Sequence, residues 1–91
     1  MKKTTQPTDR SLAEWRNQLD LIDDQIIELL SKRMGYISLI GKYKKDHGIV
    51  PLDPKRWKKV MAKRLKKAKE HKLSEAMVKD IYETIHHHAL L

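Results

Sequence analysis

Four cationic side chains stand at positions that suit the binding of a small dianion, namely Arg16, Arg33, Lys44 and Arg56. Arg33 interrupts a run of apolar positions, and a guanidinium group there must be paired or must face an anion because its desolvation is costly. Lys44 follows eleven residues later. On a helix these two side chains point the same way, about 16 Å apart along the axis. Since guanidinium groups bind carboxylates through two hydrogen bonds, the set predicts a pocket for a small dicarboxylate.

The same residues also allow a simpler interpretation. Arg33 can form an ion pair that fixes the register of its own helix, and the candidate acids are Asp23, Asp24 and Glu28. Lys44 and Arg56 can be solvated surface residues, and Asp53 can serve only as a helix cap. Spacing alone does not choose between the two interpretations.

A very long first helix is needed to position these groups. Its apolar or aromatic positions alternate at intervals of three and four, with Arg33 in the same register: Leu12, Trp15, Leu19, Ile22, Ile26, Leu29, Arg33, Tyr36 and Ile40. This is the spacing of a coiled-coil seam. Ser11 and Glu14 form a capping-box pattern at the start, and Gly48 is a natural residue just after the end.

The length of this helix predicts a dimer. A helix of roughly 35 residues is about 50 Å long, whereas a compact chain of this size is only about 30 Å across. The rest of the chain cannot cover such a seam, and the simplest partner is a second copy. In an antiparallel or crossing dimer, Arg16 of one copy can approach Arg33 of the other.

Two shorter helices complete the predicted fold. Asp53 and Pro54 are an N-cap and first-turn pair that starts helix 2, which is expected to end near Lys72–Leu73. Its inner face consists of Trp57, Met61, Arg64, Leu65 and Ala68, with Val60 beside it. Ser74 is expected to cap helix 3, whose inner face is Met77, Val78, Ile81, Tyr82, Ile85 and Ala89. The prediction is an all-α domain over residues 11–91, with three helices in an intertwined homodimer and a flexible tail over residues 1–10.

Composition limits the function classes further. The chain has 91 residues, no cysteine and a formal charge of +8, so disulfide and thiolate chemistry are excluded and anionic ligands are favoured. The basic start is followed by polar residues rather than an apolar segment, and no apolar run is long enough to cross a bilayer, so a cytoplasmic protein is expected. Consecutive histidines His86–His88 point about 100° apart on a helix, so no metal site is predicted there.

Four sequence blocks resemble the all-helical chorismate mutases. They are an Arg16–Asp23 opening of the form Arg-x-x-Leu-Asp-x-Ile-Asp, a Leu29-Leu30-x-x-Arg33 centre, an Ile40-Gly41-x-x-Lys44 end, and Asp53-x-x-Arg56 at the start of helix 2. All four match in register without a gap, and the resemblance covers roughly residues 11–91. Arg56-Trp57 is most similar to a subgroup whose members are sometimes fused to 3-deoxy-7-phosphoheptulonate synthase.

The resemblance implies a rearrangement of chorismate to prephenate that needs no cofactor. It implies that Arg16 from the partner chain and Arg33 bind the two carboxylates, while Lys44 donates to the ether oxygen. Arg56 would support a carboxylate, and Asp53 would help hold the ring hydroxyl. An enzyme of this kind gains rate by preorganisation and by placing positive charge beside the ether oxygen.

Three departures from the family pattern leave alternatives open. Trp57 stands where a glutamate is common, Ala89 replaces a serine that touches a carboxylate, and a further Gln or Glu would lie beyond Leu91. These differences are compatible with weak activity, or with a mutase-like domain that regulates or docks to another shikimate-pathway enzyme. An isochorismate-pyruvate lyase of the same fold is also compatible, because such lyases lack the acidic residue at the Trp57 position.

A basic stretch of helix 2 raises one alternative from a different class. Its cations can follow a phosphate backbone, and they are Lys55, Arg56, Lys58, Lys59, Lys63, Arg64, Lys66, Lys67 and Lys69. The first helix is too long for helix-turn-helix geometry, and a solvated outer face explains the same charges. Nucleic-acid binding is therefore not expected.

Overall fold

The computed structural model describes residues 6–51 and 53–90, the last of them by its backbone only. Three helices follow one another: α1 (Asp9–Asp46), α2 (Pro54–Glu70) and α3 (Glu75–Leu90). The described residues contain no strand, so the predicted all-α class is confirmed. The chain divides into two compact units, residues 1–36 and residues 37–91. In the described part of the chain, no helix is long and apolar enough to span a membrane.

The first helix begins one turn earlier than the capping-box pattern predicted. Thr8 is the capping residue: its Oγ1 accepts a hydrogen bond from the Ser11 amide at 3.2 Å, and its carbonyl accepts from the Leu12 amide at 3.0 Å. The expected cap at Ser11 is therefore wrong. Asp9 lies in the first turn, where the helix dipole favours a negative charge. Asp9 and Arg10, which end the predicted flexible tail over residues 1–10, belong to α1. The first five residues of that tail lie outside the described part.

Within the N-terminal unit, residues 9–36 form one helical segment, and most of its apolar side chains are exposed. Helix α1 has no buried residue. The seam residues are exposed, Trp15 by 54% and Leu29 by 62%, and so are Leu12, Leu19, Ile22 and Ile26. An apolar stripe this long is typical of a surface that another molecule covers. The predicted intertwined dimer accounts for the stripe, but it remains a prediction.

The end of α1 and the start of α2 are formed by local hydrogen bonds. Gly48 has a φ of 64°, and the Ile49 amide donates to the Lys44 carbonyl at 2.8 Å, which is a Schellman ending. After the connector, Asp53 caps α2 and Pro54 occupies its first turn. Both boundaries agree with the sequence-based prediction.

Helices α2 and α3 pack against each other and form the core of the C-terminal unit. Ala68 and Val78 are its buried apolar residues. The half-buried side chains around them are Trp57, Val60, Met61, Arg64, Leu65, Tyr82, Ile85, His86 and Ala89. The predicted inner face of α2 is confirmed. The predicted inner face of α3 is wrong at Met77 and Ile81, which lie beside the buried residues of this helix and are each 46% exposed.

Helix α2 ends at Glu70, slightly before the predicted Lys72–Leu73. His71 is the C-cap, Lys72 has a φ of 57°, and the Leu73 amide donates to the Ala68 carbonyl at 2.9 Å. This is a second Schellman ending, with lysine at the position that glycine usually occupies. Ser74 then caps α3 through its Oγ, which accepts a hydrogen bond from the Met77 amide at 3.2 Å.

Replacing Lys72 by glycine is expected to stabilise the protein. A side chain in the left-handed region costs about 1–2 kcal/mol, and the extra backbone entropy of glycine offsets about half of that gain. We expect a net gain of about 0.5–1 kcal/mol in the free energy of unfolding, measured by urea denaturation followed by circular dichroism. The matched control is Lys66→Gly, inside α2, which should lose about 1 kcal/mol. Destabilisation by both substitutions would show that the lysine side chain at position 72 makes a contribution larger than its backbone strain.

Candidate active site

Arg33 carries a guanidinium group that its own helix does not satisfy. The residue is half-buried. Its Nη1 is out of contact with solvent and has no hydrogen-bond partner among the described residues. The ion pair proposed as the simpler interpretation, with Asp23, Asp24 or Glu28, does not form, since the ion pairs of the described residues are Arg10–Glu14 and Lys79–Glu83. A buried guanidinium nitrogen without a partner is costly to keep and suits an anionic ligand.

Arg16 lies one residue after the seam position Trp15, in the same N-terminal unit as Arg33. Its side chain is exposed. On one helix, residues 17 positions apart are separated by about 26 Å along the axis, so Arg16 and Arg33 of the same copy cannot hold one small ligand together. If both take part in one site, they must come from two copies of the chain.

Lys44 is held in place by the connector that follows its own helix. Its Nζ donates a hydrogen bond to the Pro51 carbonyl at 3.1 Å, and the side chain is half-buried. This bond uses one of the three ammonium protons, so the other two are available to a ligand. The acceptor residue, Pro51, lies two residues before Asp53 in the chain. The sequence did not indicate this bond, because a backbone acceptor in a loop leaves no residue-type signal.

Asp53 and Arg56 are joined by the cap of α2. Asp53 Oδ1 accepts a hydrogen bond from the Arg56 backbone amide at 3.1 Å. The capping role that was considered for Asp53 is therefore confirmed. It uses one carboxylate oxygen, so it is compatible with a second role at Oδ2. The Arg56 side chain is exposed at the first turn of the helix.

Trp57 is packed against a histidine of α3. The Trp57 and His86 rings stack with their centroids 4.0 Å apart and an angle of 22° between their planes, and both side chains are half-buried. The stack fixes the orientation of the indole ring next to Arg56. Sequence reasoning assigned no role to His86. Its spacing of four residues after Tyr82 was the available signal, because it places His86 on the inner stripe of α3.

Arg64 is a second half-buried cation, and in contrast to Arg33 its guanidinium group has a partner. The Arg64 guanidinium lies over the Tyr82 ring, 5.6 Å from its centroid. This is a cation–π contact between α2 and α3. Arg64 therefore has a partner within the core of the C-terminal unit, and it is not a candidate for ligand binding. Arg33, by contrast, has a buried guanidinium nitrogen for which the described residues provide no partner.

The outer side of α3 is unsuited to a dianion. A shallow, open depression there is lined by Asp80, Glu83, Thr84, His87 and His88. Its two carboxylates would repel a doubly negative ligand. His87 and His88 meet edge to face at 5.4 Å. In the described part of the chain, no group of three or more His, Cys, Asp or Glu residues is arranged to hold a metal ion.

The candidate site thus falls into two parts, each described within its own unit. The N-terminal unit contains Arg16 and Arg33. The C-terminal unit contains Lys44, which is bonded to the connector, and Asp53, Arg56 and Trp57, which lie at the start of α2. Every predicted site residue lies among the described residues, and the cations carry no carboxylate partner within ion-pair distance there. The arrangement is suited to binding anions.

Comparison with known proteins identifies the family. The model of the chorismate mutase type II family matches residues 15–91. The chain belongs to this family. Its members are isomerases, and the resemblance seen in the four sequence blocks is confirmed. No solved structure gives a significant match to the chain.

Two curated relatives are similar to most of the chain. A chorismate mutase from Methanocaldococcus jannaschii is 31% identical over 77 residues, which cover 85% of this chain and 78% of the relative. A T-protein from Haemophilus influenzae is 28% identical over 71 residues, which cover 78% of this chain. The matched segment spans only 19% of the T-protein, so that relative is much longer than this chain.

Proposed function

We propose that this chorismate mutase domain converts chorismate to prephenate in a cationic pocket shared between two copies of the chain. The observation that carries the proposal is the buried Nη1 of Arg33, which has no partner among the described residues. Chorismate has two carboxylates, and a carboxylate supplies the acceptor that this nitrogen lacks. Aromatic amino-acid biosynthesis in the cytoplasm is the setting that belongs to this proposal.

Catalysis requires no nucleophile and no obligatory proton transfer in this mechanism. The reaction breaks a carbon–oxygen bond of the ether while a carbon–carbon bond forms within the same molecule. Arg33 and Arg16 of the partner subunit bind the two carboxylates and hold the substrate in its compact, reactive conformation. The Lys44 ammonium donates to the ether oxygen as negative charge develops there, which lowers the barrier.

The first turn of α2 contributes orientation in the same proposal. Arg56 supports a carboxylate, and Asp53 accepts a hydrogen bond from the ring hydroxyl at the oxygen that does not cap the helix. The Trp57 ring, whose centroid lies 4.0 Å from that of His86, provides a flat wall in this pocket. It stands at the position where the family pattern described above has a glutamate. An indole ring cannot accept the hydroxyl proton, so Asp53 carries that contact alone.

Lys44→Ala tests the proposed chemistry. We expect kcat/KM for chorismate to fall about a hundredfold or more, since the removal of one preorganised donor costs roughly 3 kcal/mol. The measurement follows the loss of chorismate absorbance. The matched control is Lys45→Ala, which removes the neighbouring exposed lysine of α1 and should leave the rate within about twofold. Equal rates for wild type and Lys44→Ala would exclude the proposed pocket.

An isochorismate-pyruvate lyase is the second candidate, and Trp57 favours it. The half-buried indole occupies the position of the missing acid and is stacked rather than charged. Assaying the same preparations for pyruvate release from isochorismate separates the two reactions. The mutase proposal expects prephenate formation to exceed pyruvate release, and the reverse ratio would replace it by the lyase.

A further inference from the structure

The outer face of α2 is a continuous basic surface. Its eight cationic side chains are all exposed, and they are Lys55, Arg56, Lys58, Lys59, Lys63, Lys66, Lys67 and Lys69. At 100° per residue they occupy an arc of about 180° and extend about 21 Å along the axis. The opposite side of the helix packs on α3, with Trp57 against His86 and Arg64 over Tyr82. We call these eight residues the basic face.

The basic face is electrostatically unfavourable in the isolated chain. Lys55–Lys59, Lys59–Lys63 and Lys63–Lys67 are like-charged neighbours one turn apart, and each such pair destabilises a helix by about 0.2–0.5 kcal/mol. The N-cap Asp53 is the one acid at the start of α2, and the first turn after it contains none. Glu70 is the one acidic residue of α2. The ion pairs of the described residues lie on α1 and α3.

We propose that the basic face is a docking surface for an acidic segment of a second protein. Charge complementarity supports this occupant, because carboxylates opposite the lysines would relieve the repulsion that the chain itself leaves uncompensated. A length of about 21 Å corresponds to four turns of a partner helix. Arg56 is the one residue that the basic face shares with the proposed chorismate pocket, so the proposal rests on the seven lysines and does not depend on the mutase reaction.

The composition of the basic face favours a protein over a nucleic acid. Seven of its eight cations are lysines, which lack the planar, bidentate geometry with which arginine recognises phosphates and guanine. Single-stranded nucleic acids also need exposed aromatic rings for base stacking. The aromatic residues of α2 and α3, Trp57 and Tyr82, are half-buried and engaged with His86 and Arg64.

The test measures binding of three anionic probes at physiological ionic strength. They are a short fluorescein-labelled polyglutamate peptide, a labelled DNA duplex of equal charge, and vesicles containing an anionic phospholipid. The proposal expects the peptide to bind more tightly than the duplex and the vesicles. The triple variant Lys59→Gln, Lys63→Gln, Lys66→Gln should weaken peptide binding about tenfold, since each charge pair contributes a modest amount.

A control of equal net charge separates the basic face from overall charge. The variant Lys32→Gln, Lys42→Gln, Lys45→Gln removes three exposed lysines of α1, and it should weaken peptide binding less than about threefold. If both variants weakened peptide binding equally, net charge alone would explain the binding, and the proposal would be overturned. Tighter binding of the duplex or the vesicles, or assemblies larger than a dimer that dissolve in salt, would assign the surface to another occupant. Absence of peptide binding would also overturn it.

Discussion

Replacing Arg33 by leucine is expected to abolish chorismate turnover while stabilising the folded protein. The substitution removes a guanidinium nitrogen that is buried without a partner among the described residues. Such a group costs about 1–3 kcal/mol. Because the rest of the side chain is only half-buried, we expect a gain of about 1 kcal/mol in the free energy of unfolding. The loss of carboxylate binding should lower kcat/KM by at least about a thousandfold.

The two readouts of this experiment are independent of each other. Stability is measured by urea denaturation without substrate, and turnover is measured with chorismate. The matched control is Arg10→Leu, since Arg10 is exposed and pairs with Glu14 at 3.8 Å. It should change stability by less than about 0.5 kcal/mol and leave turnover unaltered. If the Arg33→Leu protein were less stable but had normal turnover, Arg33 would stabilise the fold and would not bind substrate.

Helix type and helix ends could be predicted where residue chemistry determines them locally. The three-and-four spacing of the seam predicted α1, and Gly48 predicted its end because glycine adopts a positive φ without strain. Asp53, Pro54 and Ser74 predicted the starts of α2 and α3 for the same local reason, since each satisfies backbone amides or occupies a first turn.

The errors arose where two local signals compete. Thr8 and Ser11 are both good caps, and the glutamate after Ser11 favoured the wrong one. The helix starts at the earlier cap, Thr8, because each residue added to a helix contributes one more backbone hydrogen bond. At the end of α2, Lys72 adopts the left-handed conformation that glycine usually provides, so its residue type gave no signal for the end of the helix.

The sequence indicated the residues of the candidate site but not the contacts that they make. Spacing identified Arg33 as a cation in an apolar seam, but spacing cannot tell an ion-paired arginine from one without a partner. The structure distinguished these cases at Nη1. The contacts of Lys44 with the Pro51 carbonyl and of Trp57 with His86 join residues that are distant in sequence or depend on loop geometry, so no periodic pattern predicts them.

Mixing two inactive variants is expected to restore activity if the pocket is shared between two copies. Arg16→Ala and Arg33→Ala should each be nearly inactive alone. After subunit exchange at equal concentrations, half of the dimers are heterodimers, and each contains one pocket with both arginines intact. The mixture should therefore recover about a quarter of wild-type activity, as two-fold symmetry requires. The measurement is chorismate turnover after refolding the variants together from denaturant.

A second mixture provides the control, because Arg33 and Lys44 are proposed to enter each pocket from the same copy. Mixing Arg33→Ala with Lys44→Ala leaves one defect in every pocket of the heterodimer, so no activity should return. Two results would contradict the assignment of Arg16 to the partner subunit. One is recovery of activity in the Arg33→Ala and Lys44→Ala mixture, and the other is no recovery in the Arg16→Ala and Arg33→Ala mixture. The expected difference follows from geometry: two arginines separated by about 26 Å on one helix cannot contact the same small dicarboxylate.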